Sequence, residues 1–505
     1  MGKINKKINS QLPINKIYKK FNSDLCRDDM TFHDCELEIL RHAVDESEKD
    51  RGTKVANSEE VKKLLKIVED FIIRKKVICY GGTAINNILP KFAQFYNRDI
   101  EIPDYDFYSP NSLEDAKELA DIYYSEGYID VEAKAGVHYG TFKVFVNYIP
   151  IADITYLHPE LYKTVLKESI VVAGIHYAPP NFLRMSMYLE LSRPAGDVSR
   201  WEKVFKRLSL LNKYYPLKSS TSCNTIDFQR NMDSNSDEAE RLYITTRNSF
   251  IDQGVIFFGG YATSLYSKYM QDSEKRVVRK IPDFDVLSEE PSKCATILKE
   301  SLMREHFKKI NIISHPPIGE IIPMHYEIKV DKETIAYIYK PIACHSYNNI
   351  TIDDKEIKVA TIDTILTFYL GFLYVNNKYY NKDRLICMAK FLFDVEDNNR
   401  LAQKGLLKRF SIDCYGKQLT LEDIRSEKAE KYRELSDKRG SKEYNMWFLK
   451  YEPGSGLEKD IDEYEKNKPS TQVVLEKQKT KKNYEKLHPV LRLLHKKQKT
   501  KKNLE

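Results

Sequence analysis

The sequence has no run of about 18 apolar residues, so a membrane-spanning helix is excluded. Its first residues, Met-Gly-Lys-Ile-Asn-Lys, have neither the apolar core of a signal peptide nor the Ser or Thr at position 6 that N-myristoylation uses. The eight cysteines (Cys26, Cys35, Cys79, Cys223, Cys294, Cys344, Cys387, Cys414) form no CxxC and no zinc-finger spacing with histidine. They are therefore expected to be reduced thiols in a cytosolic protein. A uniform charge is also lacking. The net +7 divides into six lysines without an acid in residues 1–20, a net +9 in residues 477–505 and −8 in the body between residues 21 and 476. An acidic body with two basic ends implies arms for a polyanion rather than a basic surface.

With 505 residues, 42% hydrophobic and 11% aromatic, the chain is soluble, core-forming and long enough for about two to four domains. It also repeats itself. Val-Ile-Cys-Tyr-Gly-Gly-Thr-Ala at 77–84 returns as Val-Ile-Phe-Phe-Gly-Gly-Tyr-Ala at 255–262. Ile-Pro-Asp-Tyr-Asp-Phe-Tyr-Ser at 102–109 returns as Ile-Pro-Asp-Phe-Asp-Val-Leu-Ser at 281–288, at nearly the same offset. Two blocks at one offset indicate a duplicated domain. In each copy a helix leads into a short β-prone run, two glycines and a second helix; the spacing predicts helices from Ser58, over Thr83–Phe95 with a break near Pro90, over 238–252 and over 261–270. Strands are expected at Val77–Tyr80, 102–108, 142–156 with a turn near Asn147–Pro150, and 255–258. Arg200–Leu211 reads as a helix with Val204, Leu208 and Leu211 on one side. The polar stretch 216–236 is the best linker, and the lysine-rich tail repeats Lys-Gln-Lys-Thr-Lys-Lys-Asn, a composition of disorder.

The chemistry resides in glycines and aspartates. Asp104 and Asp106, two apart on an expected strand, point to one face, and paired carboxylates cost free energy unless cations join them. Mg²⁺ prefers such hard oxygen ligands and completes its shell with phosphates. Asp153, in Pro-Ile-Ala-Asp-Ile-Thr, is placed to be a third acid, allowing two ions about 3.5–4 Å apart for in-line displacement at phosphorus. At Gly81-Gly82 a helix start without Cβ atoms lets backbone amides approach phosphate oxygens, and Thr83 adds a hydroxyl. Gly-Gly or Asp-x-Asp alone carries little information; the ordered set of three is far sharper.

This set resembles the DNA polymerase β-like nucleotidyltransferase superfamily. The blocks Gly-Gly-Thr-Ala-Ile-Asn, Pro-Asp-Tyr-Asp-Phe, His-Tyr-Gly-Thr-Phe-Lys and Ala-Asp-Ile-Thr are similar to the poly(A) polymerase catalytic subunits of large cytoplasmic DNA viruses, those of the mimivirus group more than the poxvirus enzyme. The resemblance covers about 55–400 and implies an α+β chain of two tandem nucleotidyltransferase-like α/β domains, each a mixed sheet with flanking helices. It implies template-independent transfer of AMP from ATP to an RNA 3′-hydroxyl with release of pyrophosphate. By it Asp104, Asp106 and Asp153 are catalytic acids holding two Mg²⁺ ions, for which Mn²⁺ can substitute. Gly81, Gly82 and Thr83 contact the nucleotide phosphates, and Lys143, Arg200, Lys203 and Arg207 are candidate phosphate contacts, against the plainer reading of a solvated helix face for the last three. The partners implied are ATP, an RNA 3′ end and a homodimer or a viral processivity subunit; the location implied is the viral factory in the host cytoplasm, with packaging in the virion.

In the second copy Gly259, Gly260, Asp283 and Asp285 persist, but Tyr337 stands in place of Asp153 and Tyr261 in place of Thr83. A catalytically silent copy is expected, with the Tyr261 ring in the phosphate entry and Glu327 or Asp331 as alternative acids. The organisation expected is a basic arm at 1–50, a catalytic domain at 51–220, a linker at 221–236, the degenerate domain at 237–400, an extension at 401–470 and a disordered tail at 471–505. Other functions compatible with the residues are a terminal uridylyltransferase, a small-molecule adenylyltransferase and a non-catalytic RNA-binding scaffold.

Overall fold

Seven strands between residues 78 and 177 recur, in the same order, between residues 256 and 360 of a computed structural model. The first seven are β1 (Ile78–Cys79), β2 (Tyr105–Ser109), β3 (Val131–Ala135), β4 (Thr141–Val146), β5 (Ile149–Tyr156), β6 (Ile170–Val172) and β7 (Ile175–Tyr177). The second seven are β8 (Ile256–Phe258), β9 (Phe284–Leu287), β10 (Ile310–His315), β11 (His325–Val330), β12 (Glu333–Tyr339), β13 (His345–Ile352) and β14 (Lys355–Ala360). They form two mixed sheets, β3-β4-β5-β2-β1-β7-β6 and β10-β11-β12-β9-β8-β14-β13. Polarity matches as well as order. β1 and β8 pair antiparallel with β2 and β9, and parallel with β7 and β14. β2 and β9 pair parallel with β5 and β12. The structure describes residues 24–27, 30–56, 58–97, 103–219, 222–230, 236–376, 379–399 and 401–454. The arm at 1–20, the tail from 471 and linker residues 221 and 231–235 lie outside them.

Local sequence explains these elements. Ile78 and Cys79 are buried and lie between two neighbouring strands, so their run is unbroken apolar rather than alternating. Along β4, Phe142, Val144 and Val146 are buried while the intervening residues are not, the period of a sheet with one covered face. Asn147 and Tyr148, at φ of 50° and 64°, make the two-residue turn into β5; both must be left-handed for the turn to match the twist of its strands. The lead-in helix Glu59–Lys75 starts with two acids and ends with two bases, as the helix dipole favours, and Val61, Leu64, Val68, Phe71 and Ile72 are buried. The helix Trp201–Tyr214 buries Val204, Leu208 and Leu211.

Two compact units divide the described residues: those up to 68 and from 95 to 104 in one, those from 69 to 94 and from 105 to 454 in the other. In the first unit, the helix Phe32–Ala56 begins where Thr31 and Asp34 cap each other reciprocally, Thr31 N donating to Asp34 Oδ2 at 3.3 Å and Asp34 N to Thr31 Oγ1 at 3.2 Å.

The second unit contains both sheets. Helices Pro180–Leu191 and Ile362–Phe372 join the copies, with Gly371 against Met185, Phe182 packed edge-on to Tyr374 at 5.1 Å, and Ser346 N donating to Ser192 O at 2.8 Å. The C-terminal extension closes both sheets: β15 (Cys414–Tyr415) adds to β13 and β16 (Lys450–Tyr451) to β3, covering edges that would otherwise offer unpaired backbone groups. No helix among the described residues is long and apolar enough to cross a membrane.

The expectation of reduced cysteines is overturned at six positions. Cys26 pairs with Cys35, Cys223 with Cys387 and Cys344 with Cys414, while Cys79 and Cys294 are free and buried. Spacing could not reveal the last two bridges, because the fold brings their partners together from 164 and 70 residues apart.

Arg409, from the extension, ties the helical layer together. Its Nε donates to both oxygens of fully buried Asp363 at 3.0 Å, its Nη2 to Asp363 at 2.8 Å, and its Nη1 pairs with Glu396. The guanidinium also lies over the rings of Phe205 and Phe410. Arg409→Met leaves the fully buried Asp363 and the partly buried Glu396 without their cation and is expected to destabilise the chain by about 3–5 kcal/mol, read as a lowered midpoint in chemical denaturation.

Candidate active site

The first sheet places its chemistry on the face opposite its covered side. β1 is followed by Tyr80, whose N–H donates to Asp106 O at 2.9 Å, and the chain then turns at Gly81 with φ of 72°. The Asp106 carboxylate lies directly over that turn: a Cβ on Gly81 would stand 2.9 Å from Asp106 Oδ2. Glycine is required there twice over, for the left-handed backbone and for the close approach. Gly81 and Gly82 open the helix Gly81–Ile88, with Thr83 buried in its first turn. The break near Pro90 is present, and only a short 3₁₀ turn, Lys91–Ala93, follows it.

Register brings the acids together. Asp106 on β2 is the direct neighbour of Asp153 on parallel β5, and Asp153 in turn is the neighbour of Lys143 on β4. Lys143 Nζ forms an ion pair with Asp153 Oδ2. Beside them Tyr80 stacks on Tyr108 with centroids 3.8 Å apart, and its hydroxyl meets Thr155 Oγ1 at 2.9 Å. Burial, then the adjacent Asp106 charge, raises the Tyr80 hydroxyl well above its ordinary pKa, so it remains a neutral hydrogen-bonding group. Asp104 is exposed and immediately precedes β2, whose first residue is Tyr105; the strand is shorter at this end than the sequence predicts.

The predicted cations separate. Lys143 is at the acids, whereas Arg200 Nε pairs with Glu190 Oε1 at 3.0 Å. Arg207 acts on the same carboxylate, and burial pushes Glu190 up despite both. Lys203 is exposed on the helix Trp201–Tyr214. The structure therefore groups Gly81, Asp106, Asp153 and Lys143, and gathers Arg200 and Arg207 around Glu190.

Among the described residues no three His, Cys, Asp or Glu side chains converge as a metal cage. The donor set nonetheless fits a hard divalent cation: two carboxylates on adjacent strands, one already drawing an ammonium as its counter-charge. Mg²⁺ typically takes one or two protein carboxylates and completes its shell with water and phosphate.

The second sheet repeats this geometry and fills it differently. Gly259, at φ of 71°, lies under the Asp285 carboxylate as Gly81 lies under Asp106. Tyr337 is the register neighbour of Asp285, and Glu327 that of Tyr337, so Tyr337 occupies the place of Asp153 and Glu327 that of Lys143. A guanidinium supplies the cation: Arg230 pairs with Asp283, with Arg384 at 3.5 Å from the same carboxylate. Burial opposes ionisation of Asp283, but Arg230 and Arg384 hold its carboxyl below its ordinary value. Burial, together with the Asp283 charge, pushes Asp285 up to about 6 despite Arg230.

Tyr261 does not block a phosphate entry as the sequence suggested. It is buried in the core against Phe257 and Phe284, with centroids at 5.4 and 5.1 Å. What covers the second glycine turn is backbone from the segment before β8, the Phe228 carbonyl lying where a Cβ of Gly260 would be. The remaining cavity, lined by Arg230, Asp285, Tyr337 and Arg384 among others, has a volume of about 30 Å³, far below the several hundred that a nucleotide-sized ligand needs. Glu327 is held by His315 at 3.0 Å, Thr334 at 2.5 Å and Lys329 at 3.2 Å. Asp331 sits in the β11–β12 turn, paired with Lys309 at 3.3 Å. Neither replaces the lost acid.

Sequence reasoning missed the residues that reach a site from a distance: Arg230, Arg384 and Glu320. Glu320 lies in the β10–β11 loop, which meets the first copy where a Cβ on Gly319 would stand 3.2 Å from that of His158. Its charge acts on Tyr80 and Tyr108, and it faces His138 and Arg193. No local motif marks it, because its role depends on the packing of one copy against the other.

Asp285 provides a pH test of the second sheet. The folded protein binds its proton more tightly than the unfolded chain does, so ionising it costs stability as pH rises from about 4 to about 6. Asp285→Asn removes that cost. Its stability relative to the unsubstituted chain is expected to rise over this window by on the order of 1–3 kcal/mol and stay level above it; a difference independent of pH in denaturant titrations would contradict the burial described.

Comparison with known proteins places these observations. Residues 66–197, which hold Gly81, Asp104, Asp106, Lys143 and Asp153, match the family described as poly(A) polymerase catalytic subunit. A protein of African swine fever virus (strain Badajoz 1971 Vero-adapted), provisionally named a poly(A) polymerase catalytic subunit, is 34% identical over 168 residues, 32% of this chain and 35% of that protein. The chain thus spans about a third of the length of that relative. A protein of Acanthamoeba polyphaga mimivirus with the same provisional name is 27% identical over 349 residues, 63% of this chain and 57% of its own. The crystal structure of the Megavirus polyadenylate synthase superposes with a TM-score of 0.71 at 21% identity, covering 89% of this chain and 91% of that one. At that identity the likeness is one of fold.

Proposed function

We propose that the chain is a template-independent poly(A) polymerase that transfers AMP from ATP to the 3′-hydroxyl of RNA. The observation that carries this reading is the Asp106–Asp153 pair, adjacent in register beside the Gly81 turn and inside the segment that matches the catalytic-subunit family. In the reaction the RNA 3′-oxygen forms a bond to the α-phosphorus, the bond from that phosphorus to the bridging oxygen breaks, pyrophosphate leaves, and the hydroxyl proton passes to solvent.

Asp106 and Asp153, with Asp104 one residue ahead of β2, would hold the divalent cations, which when bound neutralise phosphate charge and acidify the attacking hydroxyl. The chain's own residues do the rest by position. Gly81, with no Cβ, lets Asp106 reach the start of the Gly81–Ile88 helix, where backbone N–H groups can receive phosphate oxygens. Lys143 pairs with Asp153 and orients it, and its ammonium would be within reach of the same phosphates. The stacked Tyr80–Tyr108 pair, fixed by Thr155, forms a rigid floor to the site. Lys203, exposed on the helix Trp201–Tyr214, would remain a candidate phosphate contact there, Arg200 and Arg207 being drawn to Glu190, and the basic tail would hold RNA by its phosphates.

Primer extension tests this reading. With a short RNA and each ribonucleotide in turn, long products are expected with ATP alone; UTP-dependent tailing would make the chain a terminal uridylyltransferase, and no extension with any nucleotide would sink the polymerase reading. Asp104→Ala and Asp106→Ala are each expected to lower addition by at least about a hundredfold, whereas Asp283→Ala should leave most activity in the molecules that fold. Removal of residues 471–505 should shorten the products and flatten their dependence on salt.

A further inference from the structure

The closed second site contains more than the loss of one acid explains. Asp283 and Asp285 are both present, Asp283 buried and Asp285 against the glycine turn, and Asp283 is paired with two arginines, Arg230 and Arg384. Arg230 binds Asp283 twice over: its backbone N–H donates to Oδ2 at 2.6 Å, and its guanidinium pairs with Oδ1. The guanidinium carbon stands 4.8 Å from the ring of Tyr337, so the residue in the place of Asp153 offers a π face to a cation where the first sheet offers a carboxylate. Two aspartates and two arginines leave the cluster formally neutral.

The segment bearing Arg230 is fastened along its length. Gln229 bridges Arg279, donating to its carbonyl at 3.2 Å and accepting from its N–H at 2.8 Å. Arg276 donates to the carbonyls of Cys223 and Asn224 at 2.6 and 3.0 Å and lies over the ring of Phe228. Phe228 packs edge-on against Phe391 at 5.1 Å, and Cys223 is bridged to Cys387.

We infer that Asp283 and Asp285 form a working cation site whose resident ligand is the guanidinium of Arg230, and that a divalent cation takes this place when the guanidinium is removed. The pair then serves as a latch: it holds the 222–230 segment across the second glycine turn and keeps nucleotides out of the second sheet. This rests on the geometry of the second sheet alone and stands whether or not the first sheet makes poly(A).

Thermal unfolding of the full chain, stripped with EDTA and measured with and without Mg²⁺ or Mn²⁺, tests it. Three proteins are compared: the unsubstituted chain, Arg230→Ala, and Arg230→Ala with Asp283→Asn. Any metal response of the first sheet is common to all three. Arg230→Ala is expected to melt several degrees lower in EDTA, and metal should raise its midpoint by more than it raises that of the unsubstituted chain. Adding Asp283→Asn should abolish this extra response while restoring part of the loss in EDTA, because the unpaired carboxylate is gone. A metal response of Arg230→Ala no larger than that of the unsubstituted chain overturns the inference. If Arg230→Ala alone does not fold, the double variant decides: recovery of a folded chain supports the latch, and failure to recover overturns it.

Discussion

Carboxylates set close together repel unless a positive charge lies between them, and the two halves of this protein are two answers to that one constraint. In the first sheet an ammonium, Lys143, meets Asp153 from across the next strand, and the carboxylate over Gly81 keeps its place at the start of a helix. In the second, guanidinium groups from outside the sheet do the work, one from the segment before it and one from a helix after it. The exchange of Asp153 for Tyr337 and of Lys143 for Glu327 at matched register positions moves the cation from within the sheet to its surroundings. A counter-charge supplied from outside the sheet also fastens the segment that bears it.

That difference also orders the architecture. The first copy's acids lie on a face that is only half-buried. The second copy is sealed, and it contributes outward: the β10–β11 loop packs against the first copy and its Glu320 charge is felt by Tyr80 and Tyr108. Arg409 and the interlocked helices Pro180–Leu191 and Ile362–Phe372 tie the two sheets together, so the second copy helps determine the surroundings of the first.

Much of this was legible in the sequence where the signal was local. The repeat spacing, the Gly-Gly turn, the helix buried on Val204, Leu208 and Leu211, and the loss of an acid at Tyr337 depend on residues close in the chain, and each has its counterpart in the fold. What sequence could not show depends on long-range proximity. The cysteine bridges, the Arg230 plug, the association of Arg200 with Glu190 and the edge strands β15 and β16 all join segments whose separation follows no period. Tyr261 is instructive. A ring in the place of Thr83 suggests an obstruction when only its size is known; in the fold it joins an aromatic cluster with Phe257, Phe284 and Tyr243.

The two-residue strand β16 sets an order of events during synthesis. Its partner β3 ends at Ala135, yet the backbone groups along that edge stay unsatisfied until Lys450 and Tyr451 arrive, with Trp447 against Tyr139 and Lys428 on the Gly136 carbonyl. Domains usually mature from the N-terminus as they leave the ribosome. Here the earlier sheet waits for nearly the last described residues of the chain, after the later sheet has already been made. The half that bears the acids is thus completed last, and a nascent chain cut short anywhere before residue 450 carries an open edge on that half.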